Sequence, residues 1–151
     1  MSLIRPLKLA ALDEEDLKVL SAHVQDAVVK VGEIRWSATT GHFIVPMNRF
    51  AWEETQKPRS RKTNQRRQAV LQFDRVRKVS ASGVSAREKD TVLSILAIAF
   101  TPGDPPSGTV TLACAGESTL RLEVECIEAR LTDLGAAWSA SMRPKHSLGN
   151  I

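Results

Sequence analysis

The sequence predicts an α+β domain: an N-terminal helix, about six antiparallel strands forming a meander or half-barrel, and a C-terminal helix. Three observations carry this expectation. An acidic helix start lies near the N-terminus, runs of β-branched and alternating residues joined by short turns fill the middle, and a spacing of three and four returns after Glu125. Short, hairpin-like connections exclude a doubly wound parallel sheet, whose strands need long crossovers.

Asp13 is placed to cap a helix whose first turn, Glu14, Glu15 and Asp16, suits the positive end of the helix dipole. Leu17, Leu20 and Val24 fall on one face and are expected to be buried, with Leu12 stapled against Leu17. Ala27 to Trp36 reads as a strand bent at Gly32, although a helix continuing to Val31 fits the same spacing. Ser37 to Gly41 is a turn, and His42 to Phe50 completes a hairpin. Pro46, lacking an N–H, argues for an edge position or a bulge in that strand.

Ala69 to Val79 resumes as a strand with a bulge near Asp74, because Val70, Leu71, Phe73, Val76 and Val79 break strict alternation. Val92 to Phe100 is apolar on both faces and reads as a central strand. Pro102, Gly103, Pro105 and Pro106 then enforce a loop. Val110, Leu112 and Cys114, followed after a turn by Leu120, Leu122 and Val124, alternate as a hairpin. Ile127, Leu131 and Leu134, stopped by Gly135, suggest the closing helix, with Cys126 at its start. Such a sheet with a C-terminal helix would resemble the pleckstrin-homology architecture. Residues 1–138 are expected to form a single domain and 139–151 a flexible tail.

A chain of 151 residues with 42% apolar and 25% charged residues is sized for one core. With four Phe, three Trp and no Tyr, that core must be mainly aliphatic. No signal peptide and no apolar run of membrane-spanning length is present, so a cytoplasmic location without membrane contact is expected. Cys114 and Cys126 form neither a CxxC pair nor a disulfide framework and read as buried thiols.

Charge is the uneven property. The net charge is +4, but residues 57–78 alone carry +8 and the remainder −4. Within KPRSRKTNQRR, residues 57–67, six of eleven side chains are Lys or Arg and none is acidic. Pro58 marks this stretch as a loop. Arg59, Arg61, Lys62, Arg66 and Arg67, extended along the next strand by Arg75, Arg77 and Lys78, are the candidate anion- or partner-binding residues. An acidic protein partner suits them. Nucleic acid is the alternative, weakened by the lack of stacking aromatics inside the loop. A homo-oligomer paired through an edge strand such as His42 to Phe50 is a third expectation.

No catalytic constellation is legible. His23, His42 and His146 are not spaced as ligands, and no metal, nucleotide-binding or nucleophile motif occurs, so no cofactor is expected. Asp74, His42 and Cys126 would serve an enzyme only if the fold assembled them. The reading that results is a non-enzymatic protein-binding or interaction module with a basic loop.

Five segments, LKLAALDEEDL, SAHVQDAVVKVG, NRFAWE, SGTVTL and LEVECIEARLTDLG, extend over most of residues 7–135. Together they resemble a bacterial family known chiefly from alphaproteobacteria, domain of unknown function 2948. The resemblance implies a bacterial cytoplasmic protein of one domain and supplies no catalytic residues.

Overall fold

The computed structural model describes residues 6–50 and 66–135. The helix start behaves as its residues dictate. Asp13 Oδ1 accepts the Asp16 N–H at 2.8 Å, Asp16 Oδ2 accepts the Leu12 N–H at 3.1 Å, and α1 runs Glu14–His23. Leu17, Leu20 and Val24 are buried as the helical spacing requires, but Leu12 is 69% exposed and staples nothing.

The other regular elements are extended, apart from a single 3-10 turn. They are β1 (Lys8–Ala11), β2 (Val28–Lys30), the 3-10 turn Val31–Glu33, β3 (Arg35–Ser37), β4 (His42–Phe50), β5 (Arg66–Phe73), β6 (Val76–Ser82), β7 (Val92–Pro102), β8 (Gly108–Cys114), β9 (Ser118–Val124) and β10 (Ala129–Asp133). The fold is therefore an antiparallel ten-stranded sheet with one α-helix among the described residues, and the α+β expectation with a helix at each end is corrected.

The correction is sharpest at residues 127–134. The spacing of Ile127, Leu131 and Leu134 suggests a helix, yet Ala129, Leu131 and Asp133 are buried and alternate with exposed Arg130 and half-buried Thr132. That is the period of a strand, and β10 lies between β1 and β5 with partners on both edges. Cys126 accordingly sits in the bend before β10 rather than at a helix start. The pleckstrin-homology analogy, which needs that helix, falls with it.

The strand order is β1-β10-β5-β4-β2-β7-β8-β9-β6, with β3 also paired to β4. Two long strands bend together at one corner. Asp74 donates its N–H to Glu128 O at 2.9 Å and Glu125 donates to Arg75 O at 3.0 Å, bridging the pairs Phe73·Ala129 and Val76·Val124. Since β6 thereby continues β5 and β10 continues β9, the ladder returns to its start as a barrel of six staves. The bulge expected near Asp74 is this corner, where Arg75 takes φ 58°.

Inward positions form one aliphatic core that includes Val45, Leu71, Leu112, Leu122 and Leu131. Each fully buried side chain of this size contributes about 1.5–3 kcal/mol. β4 is an inner strand, paired with β5 on one edge and with β2 and β3 on the other, so Pro46 does not mark a sheet edge. It lies between Ile44 and Asn48, the limits of the β3 and β2 pairings, where the 3-10 turn interrupts the neighbouring ladder. Helix α1 covers the edge that β7 exposes beyond β2: the Ser21 hydroxyl accepts the Ile98 N–H at 2.8 Å.

Candidate functional site

The candidate basic residues are dispersed. Arg59, Arg61 and Lys62 lie outside the described residues. Arg66 begins β5, exposed, with its guanidinium carbon 4.5 Å from the Phe50 ring centroid. Arg67 is half-buried opposite Arg49. The length of β5, about 25 Å of strand, separates these from the corner. There Arg75 is engaged by Glu128 at 3.1 Å and Glu125 at 3.7 Å. The hydrogen bond that Arg75 donates to Glu128 and the adjacent negative charges hold its guanidinium above its ordinary pKa. Arg77 and Lys78 are exposed on β6 beyond the corner. The structure thus brings Arg66 and Arg67 together at one end of the barrel and Arg75, Arg77 and Lys78 at the other.

Of the residues a dispersed catalytic site would need, His42 and Asp74 meet: Nε2 stands 3.5 Å from Oδ1. Asp74 also accepts the Gln72 side-chain amide at 2.7 Å and lies 3.7 Å from Arg130, so its carboxylate is shared among three neighbours. Burial raises the Cys114 thiol above its usual pKa, the behaviour of an inert core cysteine. No group of three or more His, Cys, Asp or Glu side chains that could hold a metal ion occurs among the described residues. No helix among them is long and apolar enough to cross a membrane.

Two features were not foreseen. Arg49, fully buried, points inward from β4 and forms a fork with Asp133 of β10: Nε donates to Oδ1 and Nη2 to Oδ2, each at 2.8 Å. Asp133 Oδ2 also accepts the Leu7 N–H at 2.9 Å. The signal was present in the alternation. Phe43, Val45 and Met47 place Arg49 on the inner face, and Ala129 and Leu131 do the same for Asp133. A charge set inward by this period requires a buried partner.

The second feature is a cavity of about 570 Å³. One wall is the 3-10 turn and β3, and the other is β6 with the segment Val84–Lys89. These walls are joined at their two ends. Gly32 donates its N–H to Lys89 O and Val31 to Thr91 O at one end, while Val76 donates to Gly41 O at the other, each at 2.9 Å. Between these ties β3 and β6 make no ladder with each other. A Cβ on Gly32 would stand 2.8 Å from Lys89 O, so glycine is required for that close approach. At the other tie Gly41 adopts φ 76°, a conformation costly for other residues.

The lining is aliphatic and aromatic: Val31, Ile34, Val79 and Leu93 with Phe43 and Trp36, whose ring centroids are 6.5 Å apart. Arg35 and Lys89 also line it, and among the described residues no acidic side chain does. His42, Asp74 and Cys126 are not among its walls.

Fold and cavity together define an antiparallel barrel with an apolar interior reached between two strand edges. The chain belongs to the family described as Protein of unknown function (DUF2948), whose model matches residues 7–146. Comparison with curated proteins and with solved structures gave no match.

Proposed function

We propose that this chain is a non-enzymatic binding module whose ligand enters the cavity between β3 and β6. The observation that carries the reading is the pairing of a volume of about 570 Å³ with walls stitched at both ends and unpaired between. Ligand pockets are typically about 300–1,000 Å³ and mostly apolar with a few polar groups. Such a site offers shape and hydrophobic contact, and the side chains that converge on it supply no acid–base pair.

Uptake of the neutral dye Nile red tests this. Saturable binding of one dye per chain is expected, reduced at least tenfold by Val79→Phe or Ala81→Phe, which fill the cavity from β6, with the far-ultraviolet circular dichroism unchanged. Absence of saturable uptake by the unaltered chain would sink the reading.

A second contact is proposed for the basic segment, with an acidic protein partner as its occupant and RNA as the alternative. Its support is the charge of +8 over residues 57–78 and the exposed Arg66 held over Phe50. Fluorescence anisotropy with poly-glutamate and with single-stranded RNA separates the two. Changing Arg59, Arg61, Lys62, Arg66 and Arg67 to Ala is expected to abolish binding of poly-glutamate, and unchanged binding of both polymers would remove the segment as a site.

A further inference from the structure

Two arginines, Arg49 and Arg35, are held alike through Nη1. Arg49 uses Nη1 to donate to a backbone carbonyl, Phe50 O at 3.0 Å, and presents its Nε–Nη2 edge to the Asp133 carboxylate. Arg35 likewise fixes Nη1, on Gly32 O at 2.8 Å and Ile34 O at 3.1 Å. Its Nε–Nη2 edge has no protein acceptor among the described residues. Arg35 is half-buried on β3 and is among the residues that line the cavity, as is Lys89. A guanidinium oriented through Nη1 has already lost much of its rotamer freedom, so a carboxylate meeting the remaining edge gains two parallel hydrogen bonds at reduced entropic cost.

Glu88 accepts the Ser85 N–H on Oε1 at 2.9 Å, closing its own turn, and no acid among the described residues lines the cavity. A largely apolar cavity lined, among the described residues, by two cations and no anion is complementary to a molecule with a hydrocarbon body and one negative head.

We infer that the cavity binds a monocarboxylate amphiphile, its hydrocarbon body against Val31, Phe43, Val79 and Leu93 and its carboxylate on the Nε–Nη2 edge of Arg35, with Lys89 as the second cation. This rests on the cavity being the ligand site, and the test separates the two claims. Decanoate and decanol share a chain and differ in charge. Each is titrated below its aggregation concentration into the full-length chain carrying Trp52→Phe and Trp138→Phe, which leaves Trp36 at the cavity as the fluorescent reporter.

Decanoate is expected to bind about tenfold or more tightly than decanol, the worth of a charge-assisted fork. Arg35→Gln is expected to bring decanoate to the affinity of decanol while leaving decanol unaffected, so decanol binding doubles as the check on folding. Lys89→Gln, on an exposed position, should weaken decanoate alone and by less. Equal binding of the two ligands to the unaltered chain would overturn carboxylate recognition and leave the cavity reading intact. Binding of neither would overturn both, and decanoate affinity indifferent to Arg35→Gln would remove Arg35 as the recognising residue.

Discussion

At the scale of single residues, the buried fork between Arg49 and Asp133 is the most consequential contact. Both side chains are essentially excluded from water, at 0% and 1% exposure. Desolvating two charges offsets much of their attraction, so the intact pair adds little net stability, whereas removing Asp133 takes the carboxylate fork from a guanidinium that stays buried. Asp133→Ala is therefore expected to cost about 3–5 kcal/mol in urea unfolding, and Arg49→Met with Asp133→Leu together should cost less than Asp133→Ala alone. A loss below about 1 kcal/mol for Asp133→Ala would show that the burial of Arg49 is relieved when its partner goes.

Among the elements, α1 and β7 are joined through a strand donor. Past β2, the second edge of β7 has no further strand beside it among the described residues, and the Ser21 hydroxyl supplies the acceptor that Ile98 needs. Ser21→Ala is expected to lose about 1–2 kcal/mol, because the Ile98 N–H is left beneath the helix without its partner. Hydrogen exchange should show that amide becoming faster while β4 and β5 remain protected; an unchanged rate at Ile98 would refute the capping role. Helix α1 was legible because cap, dipole and apolar spacing agree locally. β10 was not, since Ile127, Leu131 and Leu134 satisfy a helical spacing while Ala129, Leu131 and Asp133 satisfy a strand's. Only pairing with β1 and β5 decides between them, and both contacts are distant in sequence.

For the whole molecule, the sequence reading expected about six strands where the sheet has ten; corners and continuations join these into six staves, and one stave is longer than its local pattern announces. β5 with β6 was anticipated as one bent strand. The second half of β9 with β10 was hidden behind the apparent helix, and with it the closure. Arg49 and Asp133 are 84 residues apart, and the cavity is walled by β3 and β6, which are not neighbours in sequence, so neither the buried fork nor the cavity is a property of any short window. The basic segment was legible as charge, but its division between the two ends of β5 required knowing where that strand turns. Closure also stitches the two ends of the described domain together: Asp133 donates its N–H to Leu7 O, and Lys8 is paired with Thr132. β1 and β10 run antiparallel, so tension applied between residues 7 and 133 loads their ladder one pair at a time from the Lys8·Thr132 end. The barrel is mechanically a zipper at this seam: an unfolding motor that grips the N-terminal side peels β1 away before it meets the resistance of the core.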